Sequence, residues 1–339
     1  MKKQLKLLIC RIDRIGDVVL STPIPREVKK QFPDSFIAVL VRGYTKDVYL
    51  NSPYVDEIII YDKETYNSKS GFWSLVKEIK KHHFTHAFML LPDKRLNMIL
   101  FFSAIKNRFG VGHKLYQFLT FTKYVDRKKY IPLRHEADYC LDMARRIGVT
   151  VSSTNPEIVL TEDEKKFVEN LRVKLLAGRK YIVGINITSG NSAPNLLPSE
   201  YKKITELLTE NNDLKVIITD NNPPAELLSI DGVEYPNLNK PLRESILTIA
   251  SLDLMISAST GPMHIAAALK VKTLSLFCPL TACSPELWGP LGNNSKIILP
   301  EDNYCSTFCP GDPKKCNYEG PGGIDHKTVI EQALSFLDS

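Results

Sequence analysis

Short apolar runs alternate with amphipathic stretches along this chain, and the alternation occurs twice. Leu5 to Ile12 reads as a strand, and a helical pattern follows from Val18 to about Phe32, closed by Pro33-Asp34. Phe36–Val41 and Val55–Tyr61 read as two more strands. Phe72, Leu75, Val76 and Ile79 recur at helical spacing before the strand Ala87–Leu91. The pattern restarts at Tyr181–Ile187, with a helix over Tyr201–Leu208 and strands at Lys215–Thr219, Leu252–Ser257 and Thr273–Phe277. Strands that are apolar throughout, with helices between them, belong in parallel sheets covered on both faces. The fold class is α/β with two Rossmann-like halves, and 339 residues supply a core for each.

The boundaries follow from local signals. Residues 1–160 form the first domain. Thr161 and Glu164 make a capping box that opens a helix over 161–178, read as a linker. Residues 179–325 form the second domain. The segment 326–339 carries Val329, Ile330, Ala333, Leu334 and Leu337 on one helical face and is expected to pack back on the first domain.

Charge separates the halves. Residues 1–150 hold 27 Lys/Arg against 15 Asp/Glu, a net of +12, whereas the remainder holds 17 against 23, a net of −6. A basic half steers toward phosphates, whether on nucleic acid, an anionic membrane face or a phosphorylated substrate. No stretch of about 18 apolar residues exists, and the start lacks a signal-peptide core, so a cytosolic protein is expected. Cys10, Cys140 and Cys278 lie in apolar segments, which suits reduced thiols.

Two turns have the composition of a site. In Ser259-Thr260-Gly261-Pro262-Met263-His264, a small-residue turn joins an apolar strand to an Ala-rich helix with Pro near its start. Exposed amides at such an end seat a diphosphate, although an ordinary strand-to-helix turn has the same look. In Arg11-Ile12-Asp13-Arg14-Ile15-Gly16-Asp17, a strand end, a glycine turn and a carboxylate lie at the C-terminal edge of the first sheet. Asp17 is open to two readings, a ligand-facing acid or a helix-start carboxylate favoured by the dipole. Arg11 and Arg14 either hold anions or serve structure.

Cys305, Cys309 and Cys316, with His326 nearby, form a candidate metal cluster with non-standard spacing. Trp73 with Lys77, Lys80 and Lys81 suits either a membrane-surface helix or a sheet-crossover helix. A dinucleotide oxidoreductase lacks its glycine fingerprint, since Gly110-Val111-Gly112 is followed by Leu115. A nucleic-acid binder has basicity alone in its favour.

The first turn, continued by Val18-Val19-Leu20 and Thr22-Pro23, resembles the opening of the heptosyltransferases of glycosyltransferase family 9. The segment Thr260-Gly261-Pro262-Met263-His264, followed by Ala266-Ala267, resembles that family's nucleotide-sugar signature, about 240 residues downstream. His135 before a helix ending at Ile147-Gly148-Val149, and Leu197-Pro198, fit the same pattern. The resemblance implies a glycosyltransferase B fold, its two domains facing across a cleft. It implies inverting transfer of heptose from ADP-L-glycero-D-manno-heptose to the lipopolysaccharide inner core. No further cofactor is implied and nucleic acid is not a partner; the protein would touch the anionic inner face of the bacterial inner membrane. Asp17 matches the catalytic base. Arg11, Arg14, Gly16 and His135 fall to the acceptor, and Ser259 to His264 fall to the donor. Thr188, Ser189 and Asn191 supply neutral donors there, and Glu226 matches a ribose contact. Asn195 also falls to the donor site, where it replaces a basic residue, and Ser259 replaces an aspartate, which keeps a different nucleotide-sugar donor, or binding without catalysis, as alternatives. The chain contains no Asp-x-Asp, so metal-independent chemistry is expected.

Overall fold

The computed structural model describes residues 4–127, 130–191 and 193–338, and the chain divides into two compact units, Met1–Val159 and Leu160–Ser339. The first unit holds six strands: β1 Lys6–Arg11, β2 Phe36–Val41, β3 Glu57–Ile60, β4 His86–Met89, β5 Asn107–Val111 and β6 Lys123–Val125. They lie in the order β3-β2-β1-β4-β5-β6, every pairing parallel. The second unit holds β7 Tyr181–Asn186, β8 Leu214–Ile218, β9 Leu254–Ala258, β10 Lys272–Leu276 and β11 Ser295–Ile298. Their order is β11-β10-β9-β7-β8, also parallel. Strand order reverses between β1 and β4 in one sheet and between β7 and β9 in the other. At such a point the flanking loops part and leave a crevice beyond the strand ends.

The central strands are buried because both faces of each sheet are covered. Leu7, Leu8, Ile9 and Cys10 of β1 are fully buried, as are Val183 and Ile185 of β7. Each such aliphatic side chain contributes roughly 1.5–3 kcal/mol by leaving water. The helix expected over Val18–Phe32 is two helices, Ile15–Val19 and Pro23–Gln31. Ser21 and Thr22 donate their hydroxyls to the carbonyls of Val18 and Val19, and Pro23 restarts the helix at its first position. The Lys69–Lys81 helix buries Leu75, Val76 and Ile79 in the first core, so it is a crossover helix, with Trp73 half exposed.

Two boundary expectations are corrected. The Glu162–Leu176 helix has its capping box, with Thr161 N–H donating to Glu164 Oε2 at 2.8 Å, yet it is not a linker. Arg172 donates to Asp253 at 2.8 Å and to the Ser251 carbonyl at 2.9 Å, and Arg243 grips Glu164, which fastens the helix to the second unit. The terminal His326–Leu337 helix likewise closes the second core. Val329, Ala333, Phe336 and Leu337 pack with Tyr201 and Leu208 of the Pro198–Thr209 helix. Its apolar face is matched locally, beside the element that covers β7 and β8. Among the described residues no helix is long and apolar enough to cross a membrane.

Candidate active site

At the end of β1 the chain turns through Ile12–Arg14 into the Ile15–Val19 helix, which places Asp17 in its first turn. Arg11, expected to meet the acceptor, is instead 2% exposed and fully engaged inside the unit. Its Nη1 donates to the Leu90 carbonyl beyond β4 at 3.0 Å, so it spans the switch point between β1 and β4. Its Nη2 donates to Asp17 Oδ1 at 2.6 Å and to Glu136 Oε1 at 3.2 Å, and its Nε lies 3.0 Å from Asp13 Oδ1. Arg127 completes the assembly by donating to both oxygens of Glu136, at 2.6 and 2.9 Å. Arg14 is exposed at the helix start, Gly16 is buried, and His135 caps the Glu136–Arg145 helix by accepting from Ala137 N–H at 3.2 Å.

Two arginines thus face three carboxylates, Asp13, Asp17 and Glu136. The surplus of negative charge appears at Asp13, whose pKa is pushed up to about 6. Burial is the main cause; Arg11 works against it, while Asp17 and Glu136 add to it. Burial works against the Arg11 charge, but its ring of carboxylates prevails and raises its pKa well above the ordinary value. The outcome is an acid, Asp17, about a fifth exposed and held by a cation that cannot leave. Sequence reasoning missed Asp13, Arg127 and Glu136. Asp13 had a signal, its place four residues before Asp17 in the same turn. Glu136 had none, because Arg11, which ties it to Asp17, lies 125 residues away in the chain.

In the second unit the corresponding turn follows β9. Thr260 is the N-cap residue of the Gly261–Ala268 helix, but no side chain caps that helix and its first turn carries no acid. The Thr260 hydroxyl donates instead to Asn186 Oδ1 at the end of β7, 3.3 Å away across the second switch point. The helix start carries the partial positive charge of its dipole with neither a Thr260 side-chain cap nor a first-turn carboxylate against it. Pro262 and Met263 lie in its first turn, Ser259 is partly buried just before it, and His264 is buried at 4% exposure.

The loop after β7 is shaped by a residue not singled out from sequence. Asp220, beyond β8 and 2% exposed, accepts from the amides of Ile187 and Thr188 at 2.7 and 2.8 Å and from the Thr188 hydroxyl at 2.5 Å. Burial nevertheless raises its pKa. Thr188 is thus committed to the protein. Ser189 reaches the Ala193 carbonyl at 3.5 Å, and Gly190 and Asn191 both adopt positive φ, the tight turn that glycine tolerates. Asn195 is a brace: its amide donates to the Ile187 carbonyl at 2.5 Å and its oxygen accepts from Tyr201 at 2.7 Å. Glu226 is exposed on the short turn Ala225–Leu227 after β8.

Cys305, Cys309 and Cys316 are free thiols, and His326 is taken by Glu200 Oε2 at 2.7 Å. Among the described residues no group of three or more His, Cys, Asp or Glu is arranged to hold a metal ion. A cavity of about 940 Å³ in the first unit, lined by Leu5, Phe84 and Thr85, opens where the strands begin, at the edge opposite Asp17.

Residues 72–315 match the model of glycosyltransferase family 9 (heptosyltransferase), 244 of the 339 residues. The chain belongs to glycosyltransferase family 9. A chain from Haemophilus influenzae, named provisionally as a glycosyltransferase and no further, is 27% identical over 321 residues, covering 90% of this chain and 89% of its own. The solved family 9 glycosyl transferase of Veillonella parvula superposes with a TM-score of 0.80 at 21% identity, over 100% of this chain and 99% of the other. The E. coli ADP-heptose lipopolysaccharide heptosyltransferase II superposes at 0.75 with 18% identity, over 98% of both chains. Membership makes the protein a glycosyltransferase, and its two parallel-sheet α/β domains have the glycosyltransferase B fold.

Proposed function

We propose that this family 9 enzyme transfers a heptose from ADP-L-glycero-D-manno-heptose to a lipopolysaccharide inner-core acceptor, with inversion and without a metal. The observation that carries the reading is Asp17, seated at a switch point on a buried arginine. An acceptor hydroxyl hydrogen-bonded to Asp17 gives up its proton as its oxygen attacks the anomeric carbon. The bond from that carbon to the diphosphate breaks, and the leaving charge falls on the nucleotide. The Gly261–Ala268 helix end offers backbone amide donors for that charge, and the Thr260 hydroxyl, bonded to Asn186, holds the turn that presents them. The name of the E. coli structural neighbour, with its ADP-heptose and lipopolysaccharide, supports the donor and acceptor classes. The basic first unit suits an acceptor rich in phosphates and acidic sugars on an inner membrane face.

A thermal-shift panel of ADP, UDP, GDP and NAD, each at about 100 times its dissociation constant, tests the donor; binding at that excess stabilises by about 2.7 kcal/mol. A selective shift with ADP is expected. A selective shift with UDP or GDP overturns the heptose assignment and moves the protein to another sugar nucleotide. Asn195 and Ser259, which depart from the family pattern, make that second reading worth the panel. Turnover in excess chelator is also expected; loss of turnover that magnesium restores refutes the metal-independent step.

A further inference from the structure

The short helix Leu115–Leu119 and the turn that follows are inside out. Gln117, Thr120 and Thr122 are buried, at 2%, 3% and 7% exposure, whereas Leu115, Phe118, Leu119 and Phe121 are 63–81% exposed. Tyr124 of β6 and Ile131 beyond it are more than half exposed as well. Surface helices ordinarily do the reverse and turn the apolar stripe to the core. Here the inner side is a set of polar clamps. Gln117 donates to the Val111 carbonyl at 3.1 Å and accepts from Lys114 N–H at 2.9 Å. Asn97 donates to the Thr120 hydroxyl at 2.7 Å and accepts from that of Thr122 at 2.9 Å, and Arg108 holds the Thr120 carbonyl. These bonds fix the segment with its large apolar groups in solvent, an arrangement that folding alone does not call for.

The surroundings identify the occupant. Lys114 and Lys123, within or next to the segment, are exposed, as is Lys106 just before β5. From residue 106 to 131 the sequence carries seven Lys/Arg and a single acid, Asp126. Aliphatic and aromatic side chains rimmed by cations complement the interfacial layer of an anionic bilayer. Protein interfaces, by contrast, are depleted in lysine.

We propose that Leu115–Tyr124 is a membrane-docking surface, whose apolar side chains enter an anionic phospholipid face while Lys106, Lys114 and Lys123 meet its headgroups. The inference rests on the reading that the acceptor is a membrane glycolipid, but it is tested without any acceptor. The full chain is sedimented with vesicles of phosphatidylethanolamine and phosphatidylglycerol, and separately with phosphatidylcholine. Binding to the anionic vesicles is expected to weaken at least tenfold in Phe118→Ser/Phe121→Ser and to fall with salt in the wild type. Because both rings are exposed, the double variant should keep its melting temperature and its turnover of an acyl-free acceptor. A wild type that ignores anionic vesicles, or a double variant that binds them equally well, overturns the proposal. So does a wild-type dimer that the double variant converts to a monomer, since the surface is then a protein interface. Vesicle binding without heptose transfer supports the docking surface and refutes only the donor and acceptor assignment.

Discussion

The turns after β1 and β9 occupy equivalent places, each at a switch point and each entering a helix, but they are built in opposite ways. The first is crowded with charge: Arg11 holds Asp13, Asp17 and Glu136, and Arg127 backs it. The second is sparse, with no capping side chain and no first-turn acid on the Gly261–Ala268 helix, and Thr260 turned aside to Asn186. A site that moves a proton needs a carboxylate whose geometry and charge are held from behind. A site that receives a diphosphate needs donors that nothing else has claimed. In the proposed mechanism the same α/β loop position serves either purpose according to what the neighbouring strands contribute.

The contrast is broken most sharply at Asp17. Asp17→Asn should lower turnover by about 10²–10⁴-fold, the usual range for a lost general base, while ADP affinity stays within about twofold. Near-normal turnover by a folded variant removes Asp17 from the proton-transfer role.

Asp13 sharpens the comparison, because it tests whether the first turn works as a unit. Neutralising it leaves Arg11 more fully to Asp17 and weakens that base. Turnover of the wild type should therefore fall as pH drops through about 6, and Asp13→Asn should lose that step and run about tenfold slower at pH 7.5. The stability sign is the reverse of an ordinary ion-paired carboxylate. With its folded pKa raised from 3.8, Asp13 contributes stability below pH 4 that disappears as pH rises through about 6. Denaturant titrations should show the wild type losing about 1–3 kcal/mol relative to Asp13→Asn between pH 4 and 7. Parallel pH curves for the two proteins would mean that Asp13 does not titrate there.

On the sparse side, Thr260→Val removes the bond to Asn186 that holds the turn and should weaken ADP binding by about fivefold, the scale of one neutral hydrogen bond, with the pH profile of turnover unmoved. Calorimetry of ADP binding decides it; a displaced acid limb would show the two turns to be coupled.

The smallest effect is expected far from either turn. Glu164, paired with Arg243, has its carboxyl pulled down to about 2, chiefly by that arginine. A lowered folded pKa gives stability that is present above 4.5 and is lost as pH falls toward 2. Glu164→Gln should cost about 1 kcal/mol at pH 7, with the two unfolding curves converging in acid. A constant gap down to pH 2 would assign the loss to packing instead.

Most central strands were legible because a parallel strand covered on both faces carries a continuous apolar run, as Leu7–Cys10 does in β1, Phe36–Val41 in β2, Ile182–Ile185 in β7 and Leu254–Ile256 in β9. The strands β5, β6 and β11 were not read. Asn107-Arg108-Phe109-Gly110-Val111 contains no apolar run, and three or four residues at a sheet edge carry too short a signal. The site was half legible for a similar reason. Asp17 and the Thr260 turn stand next to strand ends that the pattern located. The sequence, however, suggested Arg11 as an acceptor ligand and Asn195 as a donor contact, and both are internal braces.

The sequence alone determined the α/β class, the two-unit division, the turns that matter and membership of a glycosyltransferase family, because burial pattern and local turn chemistry are written in consecutive residues. Only tertiary structure decided that Arg11 points inward, that Asp220 shapes the β7 loop, that the terminal helix closes the second unit, and that Phe118 and Phe121 face solvent. Each of these depends on partners tens to more than a hundred residues away. Which side of a side chain meets protein and which meets water is settled by that packing, not by the spacing of its neighbours in the chain.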